Sequence, residues 1–552
     1  MIMPFLIKKK IKGNIYLYLA KNGRINGKTK RIWEKYLGPE DKINEQMELM
    51  LDNEPNISTL DFGLPIALMQ LVNELDLVEI INDCTEKREQ GLSVGHYIVL
   101  AAINRCVKPT SKSKLRQWFE HTALFKEFPP IDTYLDSMAY TNHFKYLTPE
   151  IIEAIERRIN EKLMKIFKVS METLFYDPTN FFTYINPKEG AELPRHGHSK
   201  EGRFTLNLVG LTLFCTKDGG LPVLYEVYPG NIQDAKLFRE QIPRLLERLK
   251  HVGIDSRNVC LIFDKGNISQ EAFDQINNAN IRFICSIRPS TQGEFDYLTP
   301  SDFSLEKLPN GKEIGVLEFD RQIYGPNDKL LVVYNPRLKA WQEKNLLLKL
   351  EKKVDKVHEW FNERLNVKKW REPKAVEKKI QDIMKSKKYL NLVNYSVSGT
   401  FGKVEFSIVI NEKALKDQLN ALGKSFFLCN ISGMAPLDIV WLYRQQYTVE
   451  RAFKYIKSPD LLSIMPMNHW TDDSIRGHLL TCVLGLLLLS LLTRKVQQEF
   501  KRTSLWKIVG LLSEIELAIV SYKGSKKIVK KIVDISAEAT ELSNFLGLNA
   551  YV

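Results

Sequence analysis

Two short stretches decide the fold: ETLFYD at 172–177 and NVCLIFDKG at 258–266. Each is an apolar run of strand length that ends in an acid, Asp177 and Asp264 respectively. Short runs of β-branched and aromatic residues bounded by turn residues predict buried strands. Around them, FTLNLVGLTLFC (204–215) and LPVLYEVYP (221–229) predict two more strands, joined at Asp218-Gly219-Gly220. A helix is expected over 234–251, another from Ser269, and a further strand at IRFICSIR (281–288). The order strand, strand, strand, helix, strand, helix, strand describes a mixed α/β sheet.

Working outward, residues 290–435 break that pattern. GVLEFDRQI, KLLVVYN, NLVNYSV, KVEFSIVI and SFFLCNI read as strands surrounding a basic helical stretch, which predicts a β-rich insertion into a discontinuous core. Helices are expected again from Asp438 to Lys457 and from Thr471 to about Lys495. Upstream, 55–150 reads as a helical domain with Lys112, Lys114 and Arg116 at a basic helix start, a form suited to a DNA groove. The expected division is 1–50 (basic, strand-rich), 55–150, 165–289, 290–435, 436–500 and a helical 501–552. Asn22-Gly23 is the expected hairpin turn of the first segment.

Composition bounds the function. The 552 residues carry 79 Lys plus Arg against 66 Asp plus Glu, a net +13, which favours a polyanionic partner. Residues 1–33 hold nine cations and no acid, and Arg337–Lys388 holds 17 basic against 8 acidic residues. Seven scattered cysteines without a C-x-x-C pair exclude a zinc ribbon or disulfide framework and fit a reducing cytoplasm. The apolar run Leu479–Thr493 is shorter than the roughly 20 residues a bilayer needs, so a buried helix is expected and no membrane. His196 and His198 have a zinc-like spacing but no third ligand nearby.

Carboxylates at strand ends are rigidly held and suit Mg²⁺, a hard cation that takes oxygen donors. An Asp closing a strand is equally a turn residue, and Asp177-Pro178 reads as one. In WLYRQQYTVERAFKYIKS, a continuous helix would put Tyr443, Gln446, Glu450 and Lys457 on one face, since seven residues make about two turns. The same face also reads as an ordinary solvated one.

The order Asp177…Asp264…Glu450, with Glu450 inside Y-x6-E-x6-K, resembles the DDE transposases of bacterial insertion sequences. YDPTNFF, GHSKEGRFTLNLVGL, FDKGNIS and MPMNHWTDDSIRGHLLTCVLGLLLL strengthen the likeness over about Thr173 to Leu492. The branch resembled has a β-rich domain between the second Asp and the Glu and includes cut-and-paste enzymes that form DNA hairpins. The resemblance implies an RNase H-like core and Asp177, Asp264 and Glu450 as catalytic ligands of two Mg²⁺ ions, with Mn²⁺ as a substitute. It also implies Tyr443, Gln446 and Lys457 as contacts to phosphates. Partners would be the terminal inverted repeats and target, both double-stranded DNA, bound by a homodimer in a bacterial nucleoid. Hairpin-forming relatives stack a flipped base on an aromatic in the insertion; Trp341, Trp360 and Trp370 are the candidates. Within that signature the family usually has Arg three residues after the Tyr, where this chain has Gln446. A non-catalytic DNA-binding relic acting as repressor, or a nuclease of the same fold without strand transfer, are the alternative readings.

Overall fold

The computed structural model describes all residues except 1–3, 26–27, 52–54, 87–90, 130–134, 185, 187–189, 200–201, 203–204, 466, 523–527 and 534. Parts of the GHSKEGRFTLNLVGL and MPMNHW phrases therefore lie outside the described residues. The chain separates into two compact units, one of residues 74–109 and 138–494, the other of 1–73, 110–137 and 495–552.

The larger unit is built on a sheet of ten strands among the described residues. Its centre is β1 (Thr173–Thr183), β2 (Asn207–Thr216), β3 (Pro222–Pro229), β4 (Cys260–Phe263) and β5 (Arg282–Ile287). They lie side by side as β3-β2-β1-β4-β5, with β1, β2 and β3 antiparallel and β4 and β5 parallel to β1. Three meandering strands followed by two parallel ones is the RNase H-like order, reached here through helical crossovers. Helix α1 (Asp234–His251) and the helix Gln270–Asn278 make those crossovers.

Aromatic packing fastens α1 to the sheet. Phe238 meets Tyr176 at 4.8 Å and Phe263 at 4.5 Å between ring centroids. Burying each such side chain contributes about 1.5–3 kcal/mol. The sheet continues past β5 through Lys424–Cys429, Lys329–Tyr334, Glu313–Asp320 and Leu305–Lys307, all antiparallel. Between Tyr334 and Lys424 the chain leaves the sheet. The helices Pro336–Asn362 and Pro373–Met384 and the hairpin Val393–Thr400 with Lys403–Ile410 enclose a small core of their own.

The helix α2 (Pro436–Arg444) and the helix α3 (Tyr447–Lys457) follow. The helix α4 (Asp472–Glu499) is long and apolar enough to cross a bilayer, yet 89% of its most apolar window is buried inside the protein. Burial makes it a core helix, as expected, although its 28 residues run well beyond the apolar stretch whose shortness gave that expectation. His478 on it bonds the Ile464 carbonyl at 3.0 Å. All seven cysteines are free thiols.

In the smaller unit, Phe5–Ile11, Asn14–Ile25 and Lys28–Pro39 form an antiparallel sheet. Asn22-Gly23 is not its turn. Both residues sit inside the second strand beside a register shift, and Lys12-Gly13 turns the first hairpin, with Lys12 at φ 49° and Gly13 at φ 90°. Two residues of positive φ are what a tight two-residue hairpin demands. A second sheet pairs Glu516–Tyr522 with both Pro55–Asp61 and Ile528–Ile532, so 501–552, expected to be helical, also contributes two strands.

Candidate active site

The register of the central strands places the two aspartates. Phe175 pairs with Ile262 on the parallel neighbour, so Asp177 and Asp264 stand level, two residues further along adjacent strands. The paired part of the ladder ends at Phe175 and Ile262, just before the two aspartates. Asp264 follows the last residue of β4, but Asp177-Pro178, expected as a turn, lies inside β1, paired with Leu213 and Thr212 of β2; both aspartates are half-buried. Asp264 accepts from the Ser286 hydroxyl at 2.5 Å and from the Tyr443 hydroxyl at 3.3 Å. Ser286 lies level with Asp264 on β5, because Cys285 pairs with Phe263.

The segment 436–457 differs from the single helix expected. Gln445 and Gln446 bond back three residues, to Leu442 and Tyr443, and Thr448 and Val449 do the same to Gln445 and Gln446. This tightened turn separates α2 from α3. Tyr443 is therefore out of phase with Glu450. The break sends its ring against Phe427, 4.5 Å between centroids, and its hydroxyl to Asp264. Burial holds the Tyr443 phenol well above its ordinary range, and the Asp264 charge adds to this, so it remains a donor.

Gln446, Glu450 and Lys457 keep their common side on α3. The Gln446 amide donates to the Tyr176 carbonyl at 2.9 Å, and the Lys457 ammonium stands 5.3 Å from the Phe181 ring. These two anchors are separated by eleven helical residues, about 16 Å. Tyr176 and Phe181 are five strand residues apart, also about 16 Å. The helix thus runs along β1, and Glu450, one turn past Gln446, is level with Asp177 and Pro178. Glu450 is exposed.

Among the described residues, no three His, Cys, Asp or Glu side chains are grouped so as to hold a metal ion. Asp177 and Asp264, oxygen donors only and level on adjacent strands, fit a hard divalent cation that keeps waters or substrate oxygens. Glu450 stands at their level, outside a closed cage.

Two further residues at this edge were not singled out in the sequence. Ser286 is one; its signal is a lone hydroxyl in an apolar strand. Asp234, in the first turn of α1, is the other, with its carboxylate 3.9 Å from where a Cβ on Gly266 would stand. Its charge reinforces the burial that raises the Tyr176 and Tyr228 phenols. An acid just after a strand, opening a helix, is the signal that could have found it.

The remaining candidates lie elsewhere. Within the smaller unit, Lys112 is buried at 8% exposure, Lys114 is exposed, and Arg116 pairs with Glu120 at 3.0 Å. Of the insertion tryptophans, Trp360 and Trp370 pack edge-to-face at 6.3 Å beside that region's core, with Lys379 and Arg364 over the Trp360 ring. Trp341 is 65% exposed.

A family profile described as a transposase DDE domain matches residues 171–488. Among solved structures, the chain is similar to a piggyBac transposase in a synaptic complex with hairpin DNA, at 10% identity and a TM-score of 0.35. That likeness covers 83% of this chain and 82% of the other. No curated protein matches the chain.

Proposed function

This chain belongs to the transposase DDE-domain family, and from that premise we propose that it is a DNA transposase cutting at its element's terminal repeats and joining the freed ends to target DNA. The observation that carries the reading is the level placement of Asp177 and Asp264 on adjacent parallel strands, with Glu450 brought alongside by α3.

In the first step a water oxygen attacks phosphorus at the element's end and the P–O3′ bond breaks, leaving a 3′-hydroxyl and a 5′-phosphate. In the second, that hydroxyl attacks a target phosphorus and displaces another 3′-oxygen, so one phosphodiester replaces another and no co-reactant is needed. Asp177, Asp264 and Glu450 would be the catalytic ligands that hold two Mg²⁺ ions, with Mn²⁺ as a substitute. When bound, the ions supply positive charge at the attacking and leaving oxygens. Ser286 and Tyr443 orient the Asp264 carboxylate by their hydroxyls, which fixes where its lone pairs point. Lys457 supplies charge to a phosphate beside the cleaved bond. The net +13 charge supports double-stranded DNA as partner, and holding two ends implies a homodimer, in a bacterial nucleoid.

The test is incubation with a plasmid bearing the gene's own flanks, with Mg²⁺ or Mn²⁺. Nicks at the flanks followed by joined products support the reading; nicks without joining indicate a nuclease. A second reading, a non-catalytic binder descended from a transposase, is favoured by the lack of a closed three-acid group among the described residues. It predicts metal-independent binding to the flanks with no nicking.

A further inference from the structure

Gln446 occupies the position where the resembled family carries an arginine, yet its surroundings are those of a structural amide. It is 7% exposed, its Nε2 donates to the Tyr176 carbonyl at 2.9 Å, and its Oε1 is buried with no hydrogen-bond partner. So buried a site suits a neutral side chain; a guanidinium there would need a partner for its charge. The bonded carbonyl also has a particular place. The ladder between β1 and β4 ends at Phe175 and Ile262, so Tyr176 lies where the strands part, immediately before Asp177. A methionine of the same length would bury there without an orphaned oxygen, but would leave that carbonyl without this donor.

Resting on the functional reading above, we propose that Gln446 is a positioning residue: a strut between the strand of Asp177 and the helix of Glu450 that sets the two carboxylates level, and not a phosphate ligand. Sliding α3 by one residue would move Glu450 by about 1.5 Å along β1. Misplacements of about 1 Å at a reacting centre cost about a hundredfold in rate.

The experiment compares the full chain with Gln446→Met, Gln446→Asn, whose amide is one methylene too short, and Gln446→Arg. Three quantities are read: hydrogen exchange, plasmid cleavage at varied Mg²⁺, and the salt dependence of binding to flank duplex. The expected result is faster exchange at 173–183 and 447–457 in Gln446→Met and Gln446→Asn. Their kcat should fall about a hundredfold, with more Mg²⁺ needed and with KM and salt slope unchanged. Gln446→Arg should lose kcat without tightening DNA. Variants that keep kcat and weaken binding with a shallower salt slope would overturn the strut in favour of phosphate contact, as would unchanged exchange in both. If Gln446→Met does not fold, Gln446→Asn carries the same comparison. A wild-type chain that cuts no DNA, while the variants still free those two segments, sinks the functional reading and leaves the strut in place.

Discussion

Ser286 donates its hydroxyl to the Asp264 carboxylate at 2.5 Å from the level position on the neighbouring parallel strand. The same oxygen accepts from the Lys265 amide at 3.2 Å, which holds the hydroxyl in place. Partners that orient a ligating carboxylate typically contribute 10–100-fold to affinity or activity. Ser286→Ala should therefore lower the cleavage rate by about 10–100-fold and raise the Mg²⁺ needed for half-maximal rate. Tyr443→Phe removes the longer bond, 3.3 Å, and should do less. Initial rates at several Mg²⁺ concentrations check both.

Lys457 is expected to act through charge. Replacing it with Ala should weaken binding to flank and unrelated DNA alike, and flatten the slope of log K against log salt by about 0.9. Filter binding or anisotropy between low and moderate salt measures it. Weakening confined to one sequence would contradict a phosphate contact.

Glu156 makes stability depend on pH. It is buried at 9% exposure beneath β3, accepts from the Tyr225 amide at 3.1 Å, and stands 3.7 Å from Arg248. Burial lifts its carboxyl from the ordinary 4.5 to about 7, against the lowering effect of Arg248. The folded chain then holds a proton that the unfolded chain releases between those values. Stability is thus full below about 4.5 and falls as pH rises to about 7. By pH 8 the loss is on the order of 3 kcal/mol. Glu156→Gln keeps an acceptor for Tyr225, and Arg248 keeps Glu153 at 2.6 Å. Its melting temperature should match wild type near pH 5 and exceed it at pH 8.

Two glycines give opposite stability outcomes. A Cβ on Gly477, in α4, would stand 2.4 Å from Phe144 Cγ in a filled core, so Gly477→Ala should destabilise by about 1–3 kcal/mol. Gly510, in the helix Leu505–Ser513, has nothing within 4 Å of that position. Gly510→Ala should stabilise by about 0.5–1 kcal/mol through helix propensity alone. Thermal unfolding of the two variants decides it.

The strand before Asp264 was legible because a buried strand is a local signal, a short apolar run closed by a turn residue; the same signal misplaced the end of β1, which runs through Asp177-Pro178 to Thr183 because both residues pair with β2. The break at Gln445-Gln446 was not legible. LYRQQYTVERAF has neither Gly nor Pro and reads as one helix; it is interrupted where Tyr443 reaches Phe427 and Asp264 and where Gln446 reaches Tyr176, contacts made across the fold. Ser286 was hidden for the same reason, since its meaning depends on the β4–β5 register. The continuation of the central sheet by Lys424–Cys429 joins strands far apart in the chain, a pairing that propensity does not encode. Asn22-Gly23 misled because the dipeptide favours a turn and a strand irregularity alike.

The central claim is that Asp177, Asp264 and Glu450 serve one cation-dependent cleavage site. Its most direct test is nicking of a plasmid bearing the gene's flanks by wild type, Asp177→Asn, Asp264→Asn and Glu450→Gln, each shown folded by its melting temperature. The account predicts that each variant loses at least about a thousandfold in rate while still binding the DNA. Nicking that persists in any one of the three near the wild-type rate would contradict it.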